Sequence, residues 1–242
     1  MDIKRVEPLV LELDGNEYTI DFNLETAKAL ALESKRSNGH LMATDVILFG
    51  LRKNHTFIEV SERIAEKIYF SLKALDDNPE SDYNFDDMFG WIMQLHAQAF
   101  DEPAMAAIPA KITINKDYSV TVEHNGKKYL LTFTRAQLNK GYKLGNFDFN
   151  FDNKSELYFA GLDLVTLALN NETNGHYSSR LPTELFHAMW ANLFNEETQY
   201  NFVDALVALV KHAGEVMESG TKNSSAIIKV KSKMTTKNTE EK

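Results

Sequence analysis

The sequence predicts an α+β protein built as two similar modules in tandem. Each is a β-hairpin or small antiparallel sheet followed by three to four amphipathic helices. Three observations predict this. The pattern of residues 9–22 recurs at 120–133. In both copies, apolar and polar residues alternate on either side of an Asp-Gly or Asn-Gly pair. After each hairpin the apolar period lengthens from two to 3.6 residues.

The repeat holds at a constant shift of 111 positions, which lays Gly15 on Gly126, Tyr18 on Tyr129 and Phe22 on Phe133. The same shift places Gly50-Leu51 on Gly161-Leu162. Asp14-Gly15 and Asn125-Gly126 supply the positive φ angles of a tight two-residue turn. In the first copy Asn23 caps a helix through Leu24, Ala27, Leu30 and Ala31, and a second helical piece covers about 42–52. Thr56-Phe57-Ile58-Glu59 has the form of a capping box ahead of a helix with Ile64, Ile68, Leu72 and Leu75 on one face. A last helix is expected from about Asp86 to Phe100, stopped by Pro103.

The second copy opens with an additional strand, Lys111–Ile114, turning at Asn115-Lys116-Asp117. Asn153 and Glu156 then start a helix through Leu157, Leu164 and Leu167. Pro182 sits in the first turn of the next, which carries Leu185, Phe186, Met189 and Leu193. The final helix runs from Phe202 to about Glu218 and meets Gly220 as a stop. Tyr69 falls against Trp190 at a shift of 121, with the polar loop Asn170–Ser179 as the bulk of the insertion. The domains are therefore 1–102, a linker over 103–110 with Pro103 and Pro109, 111–220, and a polar tail over 221–242 expected to be disordered, apart from a short strand at Ala226–Val230.

Composition narrows the function. The chain of 242 residues has no cysteine, which excludes disulfides, thiolate metal sites and a cysteine nucleophile. The formal net charge is −9; Lys222 to the end carries +4 and the remainder −13. An acidic body argues against nucleic acid as a partner. No apolar run is long enough to cross a membrane. With no signal-like segment at the amino terminus, the expected compartment is the cytoplasm.

No motif for chemistry emerges. The seven histidines include no pair three to five residues apart. Asp148-Phe149-Asn150-Phe151-Asp152 opens like a calcium loop but lacks the Gly and Glu that such a loop needs, because Asn153 and Phe159 take those positions. Phosphate-binding loops and nucleophile elbows are missing. The carboxylate pairs Asp76-Asp77, Asp86-Asp87, Asp101-Glu102 and Glu196-Glu197 lie at helix edges, where acids favour the helix dipole or are solvated. The reading is a non-enzyme with no catalytic residues, no cofactor and no metal. What remains is apolar surface. The helix with Phe85, Met88, Phe89, Trp91, Ile92, Met93 and Leu95 is apolar around most of its circumference. Such a helix is covered by its own fold or by a partner's apolar helix.

The order of alternating strand, Gly turn, Tyr-x-(Leu/Ile)-x-Phe strand and amphipathic helices resembles the tail assembly chaperones of long-tailed bacteriophages. So do Gly145-Asn146-Phe147-Asp148-Phe149 and Leu157-Tyr158-Phe159-Ala160-Gly161 in the second copy. The likeness covers about 118–218 and is weaker in the first copy, where Phe49-Gly50 stands for the Tyr-Phe-Ala-Gly run. The family usually has one module per chain. The resemblance implies a protein of the infected bacterial cytoplasm that binds the tape measure protein and keeps it soluble. It is then absent from the mature virion. The tail tube protein and self-association are further contacts it allows. Phe89, Trp91, Phe186 and Trp190 are the candidate partner-binding anchors. Rival readings are a structural tail or head-completion protein retained in the particle, and an enzyme with a site around Asp101 to Pro109.

Overall fold

The computed structural model describes residues 5–37, 41–55, 60–142, 153–195 and 198–237. The capping pattern at Thr56–Glu59, the calcium-like run at Asp148–Asp152 and the Gly145–Phe149 motif fall outside these residues. The fold is α+β, with eight α-helices and two small antiparallel sheets among the described residues. The chain divides into two compact units. The first is Met1–Ala106 with Asn150–Tyr158, and the second is Ala107–Phe149 with Phe159–Lys242.

In the first unit, β1 (Leu9–Leu13) and β2 (Asn16–Ile20) form a hairpin, with Leu9 opposite Ile20 and Leu13 opposite Asn16. Asp14 and Gly15 take φ of 53° and 74°, the left-handed pair that a two-residue turn requires. Four helices follow: α1 (Leu24–Arg36), α2 (Ala43–Leu51), α3 (Glu62–Lys73) and α4 (Phe85–Met105). Asn23 caps α1 as expected, accepting from the Thr26 N–H at 2.9 Å while Thr26 Oγ1 accepts from the Asn23 N–H. The buried stripe of α3 is Ala65, Ile68 and Leu72. Pro103 does not stop α4. It sits in the last turn, where its missing N–H removes a single helical bond, and Ala104 beyond it is buried.

In the second unit, β3 (Lys111–Ile114), β4 (Val120–His124) and β5 (Lys127–Leu131) form a sheet in that order. β4 and β5 pair Val120 with Leu131 and His124 with Lys127, the β1–β2 register shifted by 111. Asn125 and Gly126 repeat the turn, with φ of 50° and 73°. A helix that the sequence reading missed comes next, α5 (Arg135–Tyr142). Its cap repeats that of α1 at the same shift, since Thr134 and Gln137 exchange side-chain and backbone bonds as Asn23 and Thr26 do. α6 (Lys154–Leu169), α7 (Leu181–Trp190) and α8 (Phe202–Lys237) complete the chain. The first turns of α6 belong to the first unit and the rest to the second.

Beyond the first helix the internal correspondence changes register. The N–H after β2, on Asp21, bonds to the Gly50 carbonyl at 3.1 Å, and the N–H of Thr132 bonds to the Ala168 carbonyl at 3.1 Å. Gly50 thus corresponds to Ala168, not to Gly161. Later elements match at a shift of 117. The 3-10 turn Ala74–Asp77 after α3 answers Ala191–Phe194 after α7. Asn84 and Asp87 cap α4 reciprocally, as Asn201 and Asp204 cap α8. At this shift Trp190 meets Lys73 and Phe186 meets Tyr69, which corrects the alignment of Tyr69 with Trp190.

Two further expectations fail. Gly220 does not end α8, which continues through the polar residues to Lys237, and the strand expected at 226–230 is not found. A helix-interior Gly costs only about 1 kcal/mol, and no proline follows to enforce a stop. The insertion at Asn170–Ser179 is structural as well as polar. Asn171 and Asn174 donate side-chain bonds to the Leu130 carbonyl, both at 2.8 Å, and Asn174 Oδ1 accepts the Leu130 N–H at 2.9 Å.

Candidate functional site

The four candidate anchors separate into two kinds. Phe186 and Trp190 are 0% and 1% exposed. They form an aromatic cluster with Phe202, with Phe186 edge-on to both rings and Trp190 stacked on Phe202 at 5.2 Å. Gly161 lets α6 approach this cluster, because a Cβ there would lie 2.9 Å from the Phe186 ring. These two residues are core of the second unit and are closed to solvent. This corrects the expectation that they are surface anchors; helical apolar spacing alone does not distinguish a core stripe from a docking stripe.

Phe89 and Trp91 are half-buried on α4 of the first unit. Phe89 stacks on Phe85 with ring centroids 5.6 Å apart. The Trp91 indole N–H donates to the Glu7 carbonyl at 2.9 Å. One helical face farther along, Gln98 Oε1 accepts the Val6 N–H at 2.6 Å, and Glu102 pairs with Arg5 at 2.8 Å. Trp91 therefore straps the segment before β1 onto α4, while one side of its ring borders a shallow depression lined by Asp82, Tyr83, Asp87 and Gln94.

The sequence reading missed the more distinctive surface, an apolar groove of about 290 Å³ within the first unit. One wall is the face of β1, with Leu11, Glu12 and Leu13. The other is Ile68, Ser71, Leu72 and Leu75 of α3 and its 3-10 turn, and Tyr83 and Met88 close the end. Leu11, Leu13 and Leu75 are half-buried and Tyr83 is 54% exposed, so apolar surface meets solvent along the groove. Lys67 bonds Asp14 at 2.6 Å and pins the tip of the hairpin to α3. Among the described residues, β1 is paired on one side only. Its neighbour β2 is not left open, since the Thr19 N–H donates to His55 Nε2 at 3.1 Å and Tyr18 packs on the same imidazole.

A second hollow of about 460 Å³ in the first unit is lined by Leu30, Ala31, Val46, Met93 and His96 with the start of α6. His96 lies edge-on to Phe22 and Phe100, at 5.3 and 5.4 Å. Burial holds its imidazole below the ordinary value, with the Ala27 carbonyl pulling the other way. Lys154 on the rim is paired with Asp101. Beside it Tyr158 is fully buried, with the Lys28 ammonium 4.6 Å over its ring and its phenol pushed up to about 12 by desolvation. Among the described residues no group of three His, Asp or Glu side chains is placed to hold a metal ion. No described helix is long and apolar enough to cross a membrane.

Comparison with models of known protein families, with curated proteins and with solved structures finds no match to this chain.

Proposed function

We propose that the protein is a non-enzymatic tail assembly chaperone of a long-tailed bacteriophage. It binds an apolar segment of the tape measure protein in the host cytoplasm and keeps it soluble until the tail tube polymerises. It does not stay in the virion. The observation that carries this reading is the solvent-facing apolar groove between β1 and α3, rimmed by Leu11, Leu75 and Tyr83. A chaperone needs a receiving surface of this kind on an acidic, charge-stabilised body. The shared hairpin register and the repeated caps of α1 and α5, and of α4 and α8, support an origin by duplication of one unit.

The test is co-expression with a tape measure protein, a long helical chain. The tape measure protein is expected to become soluble and to co-purify, and the double variant Leu11→Lys, Leu75→Lys is expected to lose it. If the tape measure protein stays insoluble with the unmodified chain, the proposal fails.

A further inference from the structure

The second unit contains a strand, β3, that has no counterpart among the described residues of the first. Its placement identifies what the groove of the first unit is shaped to receive. The shifts established by the hairpins and the helix caps map the groove residue by residue. Ile68, Ser71, Leu72, Leu75 and Met88 correspond to Leu185, Ala188, Met189, Asn192 and Ala205, while Leu11 corresponds to Val122.

All six counterparts are buried in the second unit. In the first unit Ser71 is exposed, and Leu11 and Leu75 are half-buried. β3 covers part of this surface in the second unit. It is entered through Ala110, whose N–H donates to the Ala188 carbonyl at 2.9 Å and whose carbonyl accepts from Asn192 Nδ2 at 2.7 Å. It then pairs antiparallel with β4, setting Lys111 opposite Glu123, Ile112 opposite Val122 and Ile114 opposite Val120. Ile112 is buried.

We infer that the outer edge of β1 and the adjoining groove bind an extended strand of another polypeptide by β-augmentation, in the place that β3 fills in the second unit. The backbone supports this directly. A two-residue turn at Asp14-Gly15 makes Leu13 and Asn16 a hydrogen-bonded pair, so Leu11–Tyr18 and Leu9–Ile20 bond inward and Val10 and Glu12 turn their N–H and C=O outward. Their counterparts, Thr121 and Glu123, are the β4 residues opposite Thr113 and Lys111. An added strand satisfies these groups. A helix, whose backbone is already bonded internally, does not.

The same mapping gives the chemistry of the guest. It carries a small residue over Ser71, a basic side chain opposite Glu12, and apolar side chains opposite Leu11 and Leu9. This is the pattern Ala110-Lys111-Ile112-Thr113-Ile114. It rests on the groove being a receiving surface, but not on the tape measure protein being the guest.

The experiment uses the full chain and a fluorescent synthetic peptide with the sequence of residues 108–116. Anisotropy should show saturable binding, with amide shifts at Val10, Glu12 and Ser71 in NMR spectra. Val10→Pro removes only an outward N–H and should weaken binding by roughly tenfold or more. Leu75→Lys, on a different element, should do the same if the proline perturbs the hairpin. Absence of binding, or binding indifferent to both variants, overturns the inference. A concentration-dependent dimer abolished by Val10→Pro also overturns it, because the edge is then occupied by a second copy. Peptide binding without tape measure capture would sink the chaperone reading alone. Capture without peptide binding would sink strand addition alone.

Discussion

The backbone N–H of Ala110 is bonded to the carbonyl of Ala188 at 2.9 Å, and this contact seats β3 against α7. Asn192, one helical turn beyond Ala188, completes the clasp by donating to the Ala110 carbonyl. The matching position in the first unit holds Leu75, which has no amide to offer. Among the described residues, the unit with this amide has a third strand in its sheet and the unit with leucine there has two strands.

Replacing Asn192 by the leucine of the other unit leaves the buried Ala110 carbonyl without its donor. Asn192→Leu should destabilise the protein by about 1–3 kcal/mol, the usual cost of an unsatisfied buried acceptor. A lowered urea midpoint would report it, together with faster amide exchange confined to β3 and Ala110. An unchanged midpoint with normal exchange at Ala110 would show that the clasp contributes nothing.

Two glycines of the first unit should respond to alanine with opposite signs. A Cβ on Gly50 would lie 2.6 Å from Ile20 Cγ2 and 3.0 Å from the Phe22 ring, both in the core. Neither neighbour is a flexible chain end, so Gly50→Ala should cost about 1–3 kcal/mol through overpacking. Gly90 lies within α4 with nothing within 4 Å of its would-be Cβ. Gly90→Ala should stabilise by about 0.5–1 kcal/mol through helix propensity. Thermal melts of the two variants against the unmodified protein decide both signs.

Local patterns in the sequence specified the hairpins, their turns, the Asn23 cap and the stripes of α1 and α3, because these depend on residues near one another in the chain. The helix α5 was not legible: its eight residues bury Leu138 behind a Thr134–Gln137 cap with little apolar periodicity. Pro103 and Gly220 read as stops because their costs are local, whereas the burial of Ala104 extends α4 regardless. The groove was invisible for a deeper reason. Leu11, Leu72, Leu75 and Met88 are ordinary core-type residues, and it is tertiary packing, with no third strand over β1 among the described residues, that leaves Leu11 and Leu75 half-buried. Phe186 and Trp190 show the converse, since their aromatic character suggested anchors while tertiary packing made them core.

The His96 imidazole should make the first unit sensitive to mild acid. Its folded value lies below the ordinary 6.5 because burial disfavours the charged ring. The unfolded chain therefore takes up the proton first as pH falls. The contribution is fully favourable above pH 6.5 and is lost as pH drops through that value toward the folded one, with a slope of at most about 1.4 kcal/mol per pH unit. The melting temperature should fall between pH 7.5 and 5.5, and His96→Phe, which keeps a ring between Phe22 and Phe100, should flatten that fall. An equal fall in the variant would assign the acid sensitivity elsewhere.

The two tryptophans give the sharpest separation of stability from binding. Trp190 is 1% exposed within the cluster of Phe186 and Phe202, so Trp190→Ala should open a cavity and cost about 3–5 kcal/mol. Trp91 is half-buried and makes one side-chain hydrogen bond to Glu7, so Trp91→Phe should cost only about 0.5–1.5 kcal/mol. If α4 helps to hold the tape measure protein, Trp91→Phe and Phe89→Ala should weaken co-purification while circular dichroism remains native. Trp190→Ala should reduce both signals in proportion, because its effect passes through the fold. Full capture by the Phe89→Ala, Trp91→Phe double variant would remove these two side chains of α4 from the interface and leave the β1 groove, which α4 joins only through Met88, as the receiving surface.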